Sequence, residues 1–70
     1  MTRQELGKRV RSERIRAGLS VKELAENAEV SASYIYAIES GTRGTHIEKL
    51  NRIASALGMT LQDLWSEKLH

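Results

Sequence analysis

The sequence predicts an all-α fold, a compact five-helix bundle, and three observations carry that expectation. Apolar residues recur at spacings of three and four, hydroxyl residues precede acidic ones at helix-opening intervals, and glycines follow the periodic runs. The first helix is expected from about Thr2 to Ala17, with Leu6, Val10 and Ala17 on one face and Gly18 as its stop. Ile15 points the opposite way, and nothing in the sequence explains it. Ser20-Val21-Lys22-Glu23 reads as a capping box: the hydroxyl takes an orphan amide and the glutamate reaches back. It opens a second helix whose Val21, Leu24, Ala25 and Ala28 line one side.

Ser31 caps a third helix, with Ile35 and Ile38 as its inward pair and Gly41 just past its end. The loop Gly41-Thr42-Arg43-Gly44 leads to a second box, Thr45-His46-Ile47-Glu48. The fourth helix carries Ile47, Leu50, Ile53, Ala54 and Leu57 on its apolar face and stops at Gly58. Thr60-Leu61-Gln62-Asp63 opens the last helix, which presents Leu61, Leu64 and Trp65. The turns are too short to be linkers, so residues 1–70 are expected to form a single domain.

Composition narrows the function. At 70 residues, burial of apolar area contributes about 105 kcal/mol, and ordering the chain costs about the same. Such a balance is marginal and leans on a partner. The chain has no cysteine, hence no disulfide framework and no thiolate metal site, which fits a reducing, cytoplasmic compartment. No apolar run approaches the ~20 residues a bilayer requires, and the N-terminus lacks a signal-peptide core. His46 and His70 lie far apart, Asp63 is the only aspartate, and neither HExxH nor a phosphate-cradling glycine loop occurs. The reading is therefore of no enzyme, no metal, no cofactor and no small-molecule ligand.

Net charge is only +2. Its distribution says more. Residues 1–22 hold Arg3, Lys8, Arg9, Arg11, Arg14, Arg16 and Lys22 against Glu5 and Glu13, a balance of +5, whereas the remainder of the chain stands at −3. The alternative is a solvated helix with a charge bias, since these bases scatter around the helix axis.

The informative stretch runs from Ser20 to Gly41, where two short helices are separated by only Ala28-Glu29-Val30. A gap that short forces a steep crossing, which needs a small side chain such as Ala25 at the contact. The ordered set Arg14-x-x-x-Gly18-Leu19-Ser20-x-x-Glu23-Leu24-Ala25, Val30-Ser31, Ile35-x-x-Ile38-Glu39-Ser40-Gly41 and Leu50-x-x-Ile53-Ala54-x-Ala56-Leu57-Gly58 completes the pattern. It resembles the helix-turn-helix family of phage repressors, Cro proteins and xenobiotic-response-element-type bacterial regulators, over about residues 5–66 with the motif at about 20–40.

That resemblance implies a DNA-binding regulator whose second motif helix, residues 31–40, lies in the major groove. Ser31, Ala32, Ser33, Tyr34, Tyr36 and Ala37 are expected to face outward, with Val30, Ile35 and Ile38 inward. Base contacts fall to Ser31, Ala32, Ser33, Tyr36 and Ala37: thymine methyls meet the alanines, and hydroxyl contacts come from Ser33 and Tyr36. Part of the specificity then comes from DNA shape. Phosphate contacts fall to Ser20, Lys22, Tyr34, Ser40, Thr42 and Arg43. The competing reading makes Tyr34 and Tyr36 half-buried helix surface.

The resemblance also implies an internal ion pair between Arg14 and Glu39, the alternative for Arg14 being a free surface base. Three positions depart from the family pattern. Val21 stands where many relatives have a glutamine that contacts phosphate, Glu29 where a left-handed glycine is usual, and Thr45 where a proline is common. A left-handed Glu29 costs about 1–2 kcal/mol.

The leading expectation is a homodimeric repressor on a palindromic operator. Leu61, Trp65 and Leu69 are the expected dimer surface, with Trp65 as a cap on the monomer core as the alternative. The second expectation is a protein-interaction module of the same fold, antitoxin-like or an anti-regulator subunit, favoured by the modest charge and by a recognition face without glutamine or arginine.

Overall fold

The computed structural model describes residues 2–42 and 46–65. Among them the chain forms five helices and no strand: α1 (Arg3–Arg16), α2 (Val21–Ala28), α3 (Ala32–Ser40), α4 (Ile47–Ala56) and α5 (Leu61–Trp65). α3 packs against α1 and α2, α4 against α2 and α5, and α5 returns to α1. All five helices thus enclose one core, centred on Leu6, Val10, Leu24, Ile35, Ile38, Leu50, Ile53 and Leu64.

Local chemistry sets the helix starts. Ser20 Oγ accepts the Glu23 amide at 3.0 Å, and Glu23 Oε1 accepts the Ser20 amide at 2.8 Å, closing the expected box. Thr60 and Asp63 make the same exchange at 3.0 and 3.5 Å. A further box lies at Thr2 and Glu5, at 3.0 and 2.7 Å. Its signature, Thr2-Arg3-Gln4-Glu5, is legible in the sequence although it is not among the starts identified there. α4 departs from expectation: its N-cap is His46, with no side-chain cap bond. The expected cap, Thr45, lies outside the described residues.

The helix stops share one device. Amides of Leu19, Thr42 and Met59 donate back to the carbonyls of Arg14, Ala37 and Ala54, around left-handed Gly18, Gly41 and Gly58. α2 ends the same way, with Val30 N–H donating to Ala25 O at 3.0 Å, but the left-handed residue is Glu29 (φ 59°). That corner sets the angle between α2 and α3. Arg52 on α4, paired with Glu48 at 3.2 Å, lies 3.4 Å from the Glu29 carbonyl and tethers the corner.

Packing corrects two expectations. Ala17 is exposed at the end of α1 instead of sharing a core face with Leu6 and Val10. The inward stripe of α1 continues through Arg14, and its buried middle contains Gly7. A Cβ at Gly7 would run into the carbonyl oxygens of Ile38 and, at 2.8 Å, Glu39. Glycine is what lets α1 approach the backbone of α3 this closely. Ile47, expected on the apolar face of α4, is 61% exposed because among the described residues no neighbour covers it. Ile15 is likewise exposed.

Candidate nucleic-acid interface

α3 divides into two faces. Ile35 and Ile38 are buried, whereas Ser33, Tyr36 and Ser40, spaced by three and four, form an exposed strip. Tyr36 stands furthest out, at 63% exposure. Ala32 and Ala37 are half-buried at its margins. Ser31 is exposed ahead of the helix, where its Oγ accepts the Tyr34 amide at 3.0 Å.

Tyr34 does not belong to that outward face. It is only 4% exposed, one turn before Ile38 and beside Ile35, so its ring joins the core. Lys49 Nζ of α4 sits 4.8 Å from the ring centroid, a cation–π arrangement that closes the solvent side. The expectation of an outward phosphate-contacting tyrosine is therefore corrected at position 34. Tyrosine tolerates either environment, and only the position of α4 decides between them.

Polar groups stand at both ends of this surface. Ser20 and the exposed Lys22 lie at the start of α2. At the end of α3 the Ser40 and Thr42 hydroxyls sit 3.0 Å apart and donate to the Ala37 carbonyl, at 3.1 and 3.2 Å. Arg43 lies outside the described residues. A groove runs between the start of α2 and the end of α3, lined by Val21, Tyr36, Glu39 and Ser40 with Arg11 and Arg14 from α1.

The floor of this groove is an ion pair. Arg14 Nε and Nη2 donate to Glu39 Oε2 and Oε1 at 2.7 and 3.1 Å, and Nη1 donates to the Leu19 carbonyl at 2.9 Å. The side chains keep only 12% and 8% of their exposure. Hydrogen bonding to Glu39 raises the Arg14 pKa above its ordinary value, against the opposing effect of burial. One guanidinium thus ties α1, the α1–α2 turn and α3 together and fixes how α3 is presented.

On another side of the bundle, Ile47, Leu61, Gln62 and Trp65 line an open apolar groove between α4 and α5. Trp65 is 39% exposed and Leu61 half-buried. Leu69, the third residue of the expected dimer surface, lies outside the described residues. Ile47 was absent from that set, because its spacing alone assigned it to the core. Among the described residues no helix is long and apolar enough to cross a membrane.

Comparison with known proteins agrees with this geometry. The family model described as "Helix-turn-helix domain" matches residues 5–65. The HTH-type transcriptional regulator DdrOP3 of Deinococcus deserti is 35% identical over 60 residues, 86% of this chain. The match spans 46% of that relative, so the chain corresponds to about half its length. Among solved structures, the clp gene regulator ClgR from Corynebacterium glutamicum superposes with a TM-score of 0.85 at 34% identity, covering 91% of this chain and 68% of that one. The restriction-modification controller protein C.AhdI from Aeromonas hydrophila gives 0.87 at 28% identity, covering 90% and 96%.

Proposed function

The chain belongs to the helix-turn-helix domain family, and from that membership we propose that it is a sequence-specific double-stranded-DNA-binding transcriptional regulator. It acts as a homodimeric repressor on a palindromic operator, with residues 1–70 as one domain and the motif at about 20–40. The observation that carries this reading is the exposed strip Ser33, Tyr36 and Ser40 on a helix anchored through Ile35, Ile38 and the Arg14–Glu39 pair. A rigid helix with one bare polar face fits the major groove, where every base pair shows a distinct pattern.

In this reading Ser31, Ser33 and Tyr36 offer hydroxyls to base edges, and the methyls of Ala32 and Ala37 meet thymine methyls. Ser20, Lys22, Ser40, Thr42 and Arg43 take backbone phosphates. The Ser40 and Thr42 hydroxyls exchange their bonds to the Ala37 carbonyl for a phosphate oxygen, or accept through a bridging water. Leu61, Trp65 and Leu69 form the dimer surface. The exposed Ile47 beside them enlarges the apolar area available for it.

Selection of bound duplexes from a random DNA pool tests the proposal. Enrichment of a palindrome, with half-sites about one helical turn apart, is the expected result. Affinity should also fall steeply between about 50 and 200 mM salt. Absence of binding to any duplex at low salt would overturn it in favour of the protein-interaction module.

A further inference from the structure

The groove between α1, α2 and α3 contains a cation that the function above does not use. Of the arginines on α1, Arg3 lies at the far end of the helix and does not line the groove, Arg9 and Arg16 each face Glu13, at 3.2 and 3.6 Å, and Arg14 is held by Glu39. Arg11 is exposed on the groove wall and makes no ion pair among the described residues. Among the described residues the only carboxylate lining the groove, Glu39, has both oxygens engaged by Arg14. The floor is thus an internally neutral pair, Val21 adds an apolar surface, and Arg11 is left as the uncompensated charge. Tyr36 lines the same groove from α3, and its exposed phenol is a hydrogen-bond donor.

We propose that Arg11 is a phosphate-binding residue: its guanidinium, in the groove it shares with Tyr36, seats one backbone phosphate of the bound duplex. The inference rests on the DNA-binding reading and deepens it. The groove opens beside the bare strip of α3, so a duplex lying on that strip brings its sugar–phosphate backbone to the groove mouth. A planar guanidinium matches two phosphate oxygens, and among the described residues no carboxylate pairs with it. Because Arg11 touches only the backbone in this arrangement, it positions the protein and carries no sequence information.

The magnitude follows from counterion release. Each phosphate contact contributes about 0.9 to the slope of log affinity against log salt. Removing one contact should therefore weaken binding about 8-fold at 0.1 M salt and about 4-fold at 0.2 M. The test measures duplex affinity across that salt range for the parent chain and for Arg11→Ala, Arg11→Gln and Arg11→Lys. Two probes are used: the duplex enriched from the random pool, and an unrelated duplex of about 30 base pairs. The expected result is a slope smaller by about 0.9 for the alanine and glutamine variants on both probes, with the slope retained by lysine. Melting temperatures should be unchanged, because Arg11 is exposed and makes no hydrogen bond or ion pair among the described residues. An unchanged slope in Arg11→Ala and Arg11→Gln overturns the phosphate site while leaving DNA binding standing. A loss confined to the enriched duplex also overturns it, since that would make Arg11 a base reader. If the parent chain binds neither duplex, the DNA-binding reading falls and this site falls with it.

Discussion

Replacing Arg14 by alanine should remove a large part of this protein's stability. The guanidinium makes two bonds to Glu39 and one to the Leu19 carbonyl, and the Glu39 side chain keeps 8% of its exposure. Without Arg14 the carboxylate is buried and uncompensated, which costs about 3–5 kcal/mol. A chain of 70 residues has about 4–10 kcal/mol of total stability. The loss is therefore about a third of the whole or more. In a domain this small each kcal/mol moves the midpoint by about 4–8 °C, so Arg14→Ala should melt at least about 12 °C below the parent.

Circular dichroism melts at constant protein concentration read this directly. The double variant Arg14→Met with Glu39→Leu separates a stranded charge from lost packing. It replaces the pair with apolar groups of similar size and should recover most of the deficit. Its residual deficit belongs to the Leu19 carbonyl, deprived of a donor at about 1–3 kcal/mol. Two results would refute the reasoning: a single variant melting within about 3 °C of the parent, or a double variant no more stable than Arg14→Ala.

Three further perturbations test other joints of the fold. Gly7→Ala places a methyl against the Ile38 and Glu39 carbonyl oxygens, which should cost about 1–3 kcal/mol in chemical denaturation; an unchanged midpoint would show that α1 and α3 can separate freely. Glu29→Gly relieves the left-handed strain at φ 59° and should raise stability by about 0.5–1 kcal/mol in the same assay, after the entropic cost of glycine, whereas a lower midpoint would mean the strain is negligible. Glu5 accepts the Thr2 amide, and that bond lowers its pKa from 4.5. Its contribution to α1 is therefore present above the unfolded pKa and lost as pH falls through the depressed folded value. An NMR titration should place Glu5 below 4.5, and a midpoint at or above that value would contradict the cap.

Much of the fold and part of the site were legible as sequence, for reasons that are local. A box such as Ser20 to Glu23 needs only four consecutive residues, and a stop at Gly41 needs only one left-handed residue and the preceding turn. The Arg14–Glu39 pair was legible in a different way, through its place in an ordered motif, because 25 positions separate its partners. Ile47 was misplaced by the same spacing rules that served elsewhere, and Tyr34 by the family resemblance, although its i, i+4 spacing to Ile38 places both on the buried side. Period-3.6 spacing identifies a side of a helix, but burial depends on which neighbour reaches that side. Lys49 and α4 reach Tyr34, and among the described residues nothing covers Ile47.

The all-α class, the motif order, and most helix starts and stops were determined by the sequence itself. Each depends on hydrogen bonds and dihedrals within a few residues, so the information is contiguous. Only the tertiary structure decided that Gly7 is the contact between α1 and α3. It alone decided that Tyr34 is core while Tyr36 is surface, and that Arg11 shares a groove with α3. Those facts depend on distances between separate helices, set by the joint packing of all five, and no single segment specifies them.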